Sequence, residues 1–265
     1  KLERVKTGKG KGSFKYTMAV SPLDCLGCGV CVGQCPTHAL EMKPAASQAP
    51  QIAVYDYLVN STAEKPELFD ATVRFSQYRK PLLEYSGACA GCAETSYARV
   101  VTQLFGRRMI ISNATGCSSV WGGPAADSPY TVDADGRGPA WANSLCEDNA
   151  EHGLGVYLGH KKLRDDLRDK VAELEKITSV PEKREACRRW LDTYDRGGEN
   201  EAATAALIAR LEADPDCPYT RAILPKKDYL TKKSVWIFGG DGWACDIGCG
   251  GLDHVLASGA DVNVL

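Results

Sequence analysis

Apolar residues along this chain follow two patterns, one typical of buried strands and the other of amphipathic helices. Continuous apolar runs predict strands at residues 109–112 and 233–238, and a further strand begins at residue 261. Apolar residues at helical spacing predict a helix at residues 95–105. Further helices are predicted at residues 161–177, 182–194, 200–213 and 247–258, and one that opens at Trp141 and ends near residues 153–159. This alternation predicts an α/β domain with a doubly wound, mostly parallel sheet.

The same pattern divides the chain into three predicted parts. Residues 1–50 begin with a polar, lysine- and glycine-rich arm, continue with a short strand at residues 14–20, and hold the first cysteine cluster. Residues 51–84, with prolines and polar spacers, predict a linker on the surface between domains. Residues 85–265 predict the α/β domain, with charged helices at about 160–230 as an outer helical insertion. Since the chain ends within its last predicted strand, we expect this domain to continue further.

Composition and charge exclude several classes of function. The 265 residues carry a net charge of −2, so no global basic field indicates binding to nucleic acid or to an anionic membrane. No apolar run approaches the roughly 18 residues of a membrane span, and the first residues are polar, unlike a signal peptide. Twelve cysteines in clustered spacing favour metal ligation in a reducing compartment over a disulfide framework. We therefore expect a cytoplasmic protein.

The strongest chemical motif is the run Cys25-x-x-Cys28-x-x-Cys31-x-x-x-Cys35-Pro. It has the spacing of bacterial ferredoxins, in which the first three thiolates hold one [4Fe–4S] cluster and the fourth ligates the second cluster of a two-cluster domain. Such a domain needs a second run of this kind, and none follows residue 35. We therefore expect the partner run to precede Lys1.

A second group of cysteines lies in two glycine-containing turns. Cys89 and Cys92 form a Cys-x-x-Cys turn, and Cys117 follows a glycine after the predicted strand at residues 109–112. Three thiolates that converge from two turns suit a zinc ion or an iron–sulfur cluster. A redox-active Cys-x-x-Cys is the alternative interpretation. The next helix begins beside Glu94, where the helix dipole favours negative charge.

A glycine-rich turn follows the most apolar predicted strand. It reads Gly239-Gly240-Asp241-Gly242-Trp243 and leads into a helix. Strand, glycine turn and helix in this order are the layout of a ligand site in a doubly wound sheet. The glycines allow the backbone to approach a diphosphate, and Asp241 can hold a Mg²⁺ ion that bridges the diphosphate oxygens.

With these motifs in this order, the chain resembles the C-terminal portion of the pyruvate:ferredoxin (flavodoxin) oxidoreductase family, which uses thiamine diphosphate. The resemblance covers essentially the whole chain. The segments that carry it are residues 25–36, 81–92, 113–119, 138–145 and 233–265. It implies that residues 1–50 are the second half of a 2[4Fe–4S] ferredoxin-like α+β domain. It also implies that residues 85–265 are most of a thiamine diphosphate-binding domain.

The resemblance implies three [4Fe–4S] clusters in the full protein. The first three cysteines of the run that starts at Cys25 would hold one cluster, and Cys35 would reach to another. Cys89, Cys92 and Cys117 would hold a third cluster nearest the thiamine, with a fourth cysteine beyond the last residue.

The same resemblance implies the thiamine site and the reaction. Glu94 and Cys117 would border the thiamine diphosphate, which residues 240–243 would cradle with Asp241 on Mg²⁺. The implied reaction converts pyruvate and CoA into acetyl-CoA and CO₂ and passes electrons through the clusters to ferredoxin or flavodoxin. The catalytic substrate and base residues are expected outside this segment, so the segment alone should be inactive. The family is typically a cytoplasmic homodimer, and some protists keep it in hydrogenosomes.

Three alternatives stay open. A sibling 2-oxoacid oxidoreductase with another substrate would share these motifs, since nothing in the chain reads the side chain of the acid. A fusion that passes electrons to NADP⁺ through an additional reductase would also match. From a different class, the segment could serve only as an electron-transfer module without thiamine chemistry.

The sequence departs from the family pattern at several positions. Ala93 and Ser96 stand where the family usually has Gly and Pro, and Cys146, Cys245 and Cys249 occupy positions that are usually aromatic. Cys245 and Cys249 lie four residues apart on one predicted helical face, and we expect small buried apolar residues there, with a metal pair as the alternative. The remaining cysteines, Cys187 and Cys217, receive no role.

Overall fold

The computed structural model describes residues 3–6, 13–70, 72–123, 127–145 and 147–265. Its contacts group into two units, each made of two stretches of sequence. The first comprises Lys1–Arg107 and Val120–Gly138, and the second comprises Arg108–Ser119 and Pro139–Leu265. Residues 51–84, predicted as a linker, fall within the first unit, and the domain boundaries at residues 50 and 84 stay a prediction. Cys146 lies outside the described residues.

The described part of the first unit is built from short elements and one longer helix. Strands β1 (Glu3–Lys6) and β2 (Ser13–Tyr16) pair in antiparallel register, so the strand predicted at residues 14–20 is shorter than expected. The helices are α1 (Val30–Gln34), α2 (Pro50–Asp56), α3 (Val73–Ser76) and α4 (Glu94–Phe105). Helix α2 continues as a π-helical turn, Tyr57–Ser61. Helix α4 confirms the helix predicted at residues 95–105.

The segment predicted as a linker packs against α4. The buried side chain of Gln103 accepts a 3.1 Å hydrogen bond from the backbone N–H of Leu82 and donates to the carbonyls of Ser76 and Arg79. Leu82 is itself buried, and a Cβ placed on Gly106 would lie 2.6 Å from its Cδ1. Residues 76–82 are therefore held in place by buried polar and apolar contacts.

The second unit contains a four-stranded parallel sheet, which confirms the predicted α/β class. Strand β3 (Met109–Asn113) precedes the short helix α5 (Cys117–Gly122). The other strands are β4 (Ala140–Asn143), β5 (Ser234–Phe238) and β6 (Val262–Val264). The order across the sheet is β4-β3-β5-β6, and all three pairings are parallel. Strands β3 and β5, which are almost entirely buried, correspond to the apolar runs of the sequence.

The helix predicted to open at Trp141 is wrong. Trp141 lies in β4, and the helix α6 begins at Asn149 and continues without a break to Ile177. Gly153 does not end this helix, because it lies where α6 crosses the sheet: a Cβ there would be 2.4 Å from Cγ1 of Ile237. The glycine therefore permits close packing of helix on sheet, a role that the sequence does not distinguish from a helix stop.

The charged region after residue 160 is helical, as predicted, and has its own core. Helices α7 (Pro181–Asp192), α8 (Gly197–Glu212) and α9 (Pro218–Ile223) pack with α6 around Trp190, which is fully buried. The indole Nε1 of Trp190 donates to Thr204 and to the carbonyl of Leu230. A π-helical segment, Gly242–Ile247, and α10 (Cys249–Ala257) follow β5. Among the described residues, no helix has the length and apolarity needed to cross a bilayer.

Candidate cofactor and cluster sites

In the second unit, the carboxyl ends of three adjacent strands meet at one edge of the sheet. Asn113 ends β3 and pairs in register with Asn143 at the end of β4 and with Phe238 at the end of β5. The turn that leads to Cys117 follows β3, and the glycine turn follows β5. Since ligands of open parallel sheets bind outside the carboxyl ends of the strands, this edge is the candidate site of the unit.

The glycine turn presents open backbone at this edge. Gly240, Asp241 and Gly242 are exposed, and a Cβ placed on Gly240 or Gly242 would meet no atom within 4 Å. The Asp241 carboxylate stands between these two glycines and immediately precedes the π-helical segment. An exposed carboxylate flanked by uncovered backbone suits a hard cation and a diphosphate. The residues present therefore fit the predicted ligand.

The Trp243 side chain lies on the buried side of the glycine turn, not on its exposed side. Its indole is 5% exposed and donates from Nε1 to the carbonyl of Glu147 at 3.1 Å. A Cβ on Gly239 or on Gly248 would come within 2.3 Å of this ring. These two glycines therefore accommodate the tryptophan, whereas Gly240 and Gly242 leave space outside. Trp243 therefore supports the turn from its buried side, and its part in holding a diphosphate stays a prediction.

A polar network that the sequence analysis missed surrounds the start of the Cys117 turn. Asn113 donates to Oδ1 of Asn143 at 3.0 Å, and Asn143 donates to Oγ1 of Thr115 at 2.9 Å. The Thr115 hydroxyl donates to the carbonyl of Ser144. Oδ1 of Asn113 is buried and has no hydrogen-bond partner among the described residues. The available signal in the sequence was that two asparagines each end a short apolar segment. This signal can be interpreted only when the two strands are known to be neighbours.

Cys117 is presented by a turn with tight internal bonds. It is exposed and is the first residue of α5. The hydroxyl of Ser119 accepts from the backbone N–H of Gly116 at 2.8 Å and donates to the carbonyl of Ala114 at 3.1 Å. The thiol is therefore held at the surface by a turn whose polar groups bond to one another.

In the first unit, Cys89 and Cys92 occupy one tight turn. The backbone N–H of Cys92 donates to the carbonyl of Cys89 at 3.0 Å, and Gly91 adopts a left-handed conformation with φ of 79°. Both thiols are exposed. Glu94 begins α4 directly after this turn, and its Oε2 accepts a 3.0 Å hydrogen bond from Nε1 of Trp121. The turn leaves both thiols exposed, and their role as ligands of one centre stays a prediction.

The cysteine run in the first unit is also exposed. Gly27 and Gly29 have φ of 68° and 74°, so the loop around Cys28 bends where an L side chain would be strained. Cys31 lies in α1, and Cys35 follows the helix. The backbone N–H of Ala39, 3.2 Å from the sulfur, and then the hydroxyl of Thr37 lower the pKa of Cys35. Stabilisation of a thiolate suits a cluster ligand.

No three cysteine, histidine or carboxylate side chains converge at metal-binding distance within the part of the chain that the structure describes. Cys25 and Cys28 lie in the loop before α1 and Cys31 lies in α1, whereas Cys89 and Cys92 share one turn. All of these thiols are free and exposed, so the donor set fits iron–sulfur ligation.

The cysteines without a predicted role divide into two kinds. Cys187 is fully buried in the core around Trp190, where burial raises the pKa of its thiol to about 11. Cys217 is partly buried beside that core. Cys245 and Cys249, by contrast, are exposed. The expectation that these two are small buried residues is therefore wrong, because the buried face of their segment is taken by Trp243.

Comparison with known proteins adds to this geometry. Residues 18–41 match the family model described as 4Fe-4S binding domain. The chain is 49% identical, over 98% of its length, to the pyruvate-flavodoxin oxidoreductase of Klebsiella pneumoniae and 49% identical, over 97%, to the pyruvate:ferredoxin oxidoreductase of Moorella thermoacetica. It is 43% identical, over 98%, to the mitochondrial pyruvate dehydrogenase [NADP(+)] of Euglena gracilis. These matches span 22%, 23% and 15% of the respective relatives.

Proposed function

Since the chain is homologous over nearly its whole length to one segment of the pyruvate:ferredoxin and pyruvate-flavodoxin oxidoreductases, we propose that it contributes the corresponding part of such an enzyme. The reaction is the oxidative decarboxylation of pyruvate with CoA to acetyl-CoA and CO₂. Electrons leave through [4Fe–4S] clusters to ferredoxin or flavodoxin. The observation that carries the proposal is identity near one half along 97–98% of the chain, together with an exposed Asp241 between two open glycines.

The second unit supplies the diphosphate end of the thiamine site in this proposal. Asp241 holds Mg²⁺, and the backbone at Gly240 and Gly242 approaches the diphosphate without side chains in the way. Trp243 supports the turn from its buried side. When bound, thiamine diphosphate supplies the carbanion and electron-sink chemistry of decarboxylation.

The first unit supplies the Glu94 carboxylate, which a hydrogen bond holds in position, and most of the cluster ligands. Glu94 is oriented by Trp121 and borders the thiamine. Nearby, burial and then the charge of Glu94 raise the pKa of Tyr130, so its hydroxyl stays protonated throughout the physiological range. Cys25, Cys28 and Cys31 hold one cluster, and Cys35 reaches to a second.

Cys89, Cys92 and Cys117 hold a third cluster, the one nearest the thiamine. This arrangement divides a two-electron carbon oxidation into one-electron transfers.

A second candidate differs only in the electron acceptor. The relatives from Euglena gracilis and Cryptosporidium parvum, 43% and 39% identical to the chain, are named pyruvate dehydrogenase [NADP(+)]. Their names favour an NADP⁺-linked enzyme as the alternative. In both cases we propose a homodimer in the cytoplasm, or in the hydrogenosome of an anaerobic protist.

The test uses the full-length protein purified without oxygen. Iron and thiamine are counted per chain, and EPR spectra are recorded after addition of pyruvate, with and without CoA. About twelve irons, as three four-iron clusters require, one thiamine and pyruvate-dependent cluster reduction are expected. Clusters without thiamine would instead indicate an electron-transfer module. Bound thiamine with no cluster reduction by pyruvate would indicate that the substrate is another 2-oxoacid. Reduction of NADP⁺ without added ferredoxin or flavodoxin would favour the second candidate.

A further inference from the structure

Two exposed thiols lie one helical turn apart directly after the glycine turn. Cys245 belongs to the π-helical segment Gly242–Ile247, and Cys249 is the first residue of α10. Both are free and exposed. Hydrogen bonds continue the helical path through Gly248, which lies between them: its N–H donates to the carbonyl of Trp243 at 2.8 Å, and its carbonyl accepts from the N–H of Leu252 at 3.0 Å. Residues about one turn apart on a helix have Cβ atoms about 5–6 Å apart, so rotation about χ1 can direct both sulfurs at one atom.

The outward direction of these thiols is fixed by the opposite face of the same segment. Trp243 is buried against Gly239 and Gly248 and bonds to the carbonyl of Glu147. Rotation of the segment would remove this indole from its pocket. On the outer side, Cβ atoms placed on Gly242 or Gly250 would meet nothing within 4 Å. Approach to the two sulfurs is therefore open.

We propose that Cys245 and Cys249 form a dithiol site that binds one soft, thiophilic centre through both sulfurs. Two thiolates prefer soft acceptors such as Cu(I) or trivalent arsenic. Among the described residues, no third cysteine, histidine or carboxylate joins them at metal-binding distance, so the pair offers two sulfur donors. A thiophilic centre that takes two sulfur ligands from the protein matches the donors that are present.

Occupancy of the dithiol obstructs the diphosphate site, and this consequence rests on the proposed function. Asp241 precedes Cys245 by four residues, and all three side chains are exposed. Asp241, Cys245 and Cys249 therefore follow one another along one face at intervals of about a turn. A group that spans the two sulfurs lies within one turn of the carboxylate assigned to Mg²⁺.

The test uses phenylarsine oxide on the full-length protein with its clusters intact. The reagent condenses with two thiols: two As–S bonds form, and the arsenic-bound oxygen leaves as water with both thiol protons, so no oxidant is required. After removal of unbound reagent, arsenic is counted per chain. We expect one arsenic more in the wild type than in the Cys245→Ser, Cys249→Ser double variant.

Single variants decide whether both sulfurs take part. Cys245→Ser or Cys249→Ser alone should weaken retention by about 10²- to 10⁴-fold, since the second bond loses its intramolecular advantage. Cys217→Ser, in a partly buried position of the second unit, is the matched control and should retain the arsenical. Equal retention by the wild type and both single variants would overturn the proposal, as would equal arsenic in the wild type and the double variant.

A second measurement addresses the obstruction. In protein depleted of thiamine, the arsenical should weaken thiamine diphosphate binding by about tenfold, a difference of about 1.4 kcal/mol, and should have no such effect in Cys245→Ser. Unchanged affinity with one arsenic bound would overturn the obstruction. Failure of the untreated protein to bind thiamine diphosphate would refute the proposed function, while the arsenic count would still decide the dithiol site.

Discussion

The Glu94 carboxylate accepts a 3.0 Å hydrogen bond from Nε1 of Trp121, an indole that is only 3% exposed. Glu94 is the first residue of α4, so the helix dipole also favours its charged form. A Cβ on Gly87 would lie 3.4 Å from Cβ of the same tryptophan. One buried ring therefore holds both the carboxylate and the turn that precedes Cys89.

Trp121→Phe should weaken thiamine diphosphate binding in the full-length enzyme by several-fold and lower the free energy of unfolding by about 1 kcal/mol. Phenylalanine keeps an aromatic ring in the pocket and removes the indole donor together with part of the ring volume. Without this hydrogen bond, the Glu94 side chain adopts other rotamers as well. Isothermal titration with thiamine diphosphate and Mg²⁺ measures the first effect, and thermal unfolding measures the second.

Glu94→Gln is the matched control for that prediction. The amide oxygen still accepts from Trp121, so the unfolding midpoint should stay close to that of the wild type while the charge is lost. A midpoint for Glu94→Gln as low as that for Trp121→Phe would show that the hydrogen bond is not what stabilises this region.

The two adjacent glycines that follow β5 should respond differently to substitution. Gly239→Ala places a Cβ 2.3 Å from the Trp243 ring and should destabilise the protein by about 1–3 kcal/mol through overpacking. Gly240→Ala meets no neighbouring atom, so it should leave thermal stability unchanged and weaken thiamine diphosphate binding. Equal loss of stability in both variants would contradict this separation of roles.

This contrast also shows how much of the structure could be predicted from the sequence alone. The apolar runs around Ile111 and Trp236 predicted the strands, because continuous burial leaves a clear pattern. Gly153 was misinterpreted as a helix end, since its reason is a contact with Ile237 that lies far along the chain. Gly239 and Gly240 look alike in sequence and differ only in what stands beside them.

Thr115→Val should loosen the turn that carries Cys117. It removes the hydroxyl that donates to Ser144 and accepts from Asn143, and it should cost about 1 kcal/mol of unfolding free energy. If Cys117 ligates a cluster, the EPR line shape or reduction potential of that cluster should also shift. Thr115→Ser keeps the hydroxyl and should preserve both readouts; an altered cluster signal in Thr115→Ser alone would refute the role of the hydrogen bonds.

The candidate sites were predictable to different degrees. The cysteine runs and the Gly-Asp-Gly turn carry their chemistry in local spacing, so Cys25 and Asp241 could be selected before any fold was known. The network of Asn113, Asn143 and Thr115 depends on the pairing of two strands 30 residues apart in their register. The exposure of Cys245 depends on which face Trp243 occupies, and helical spacing alone does not decide that.

The stability of the second unit should fall in mildly acidic solution because of His160. This ring is half-buried, lies 5.2 Å from the Tyr229 ring, and has a buried Nδ1 without a hydrogen-bond partner among the described residues. Burial, and then the positive charges of Lys233 and Arg164, lower its pKa from the ordinary value of 6.5. The folded protein therefore favours the neutral imidazole.

The sign follows from proton binding. As the pH falls through 6.5, the unfolded chain takes up a proton at this histidine before the folded chain does, so the free energy of unfolding decreases. The stabilisation is complete above that pH, is lost as the pH falls to the lowered pKa of the folded state, and does not change further below it.

His160→Phe keeps an aromatic ring beside Tyr229 and should flatten this part of the profile. Thermal midpoints measured between about pH 5 and pH 8 test this, with His254→Gln on the exposed side of α10 as the control for loss of a histidine. If His160→Phe kept the slope of the wild type, the acid sensitivity would have to come from another group.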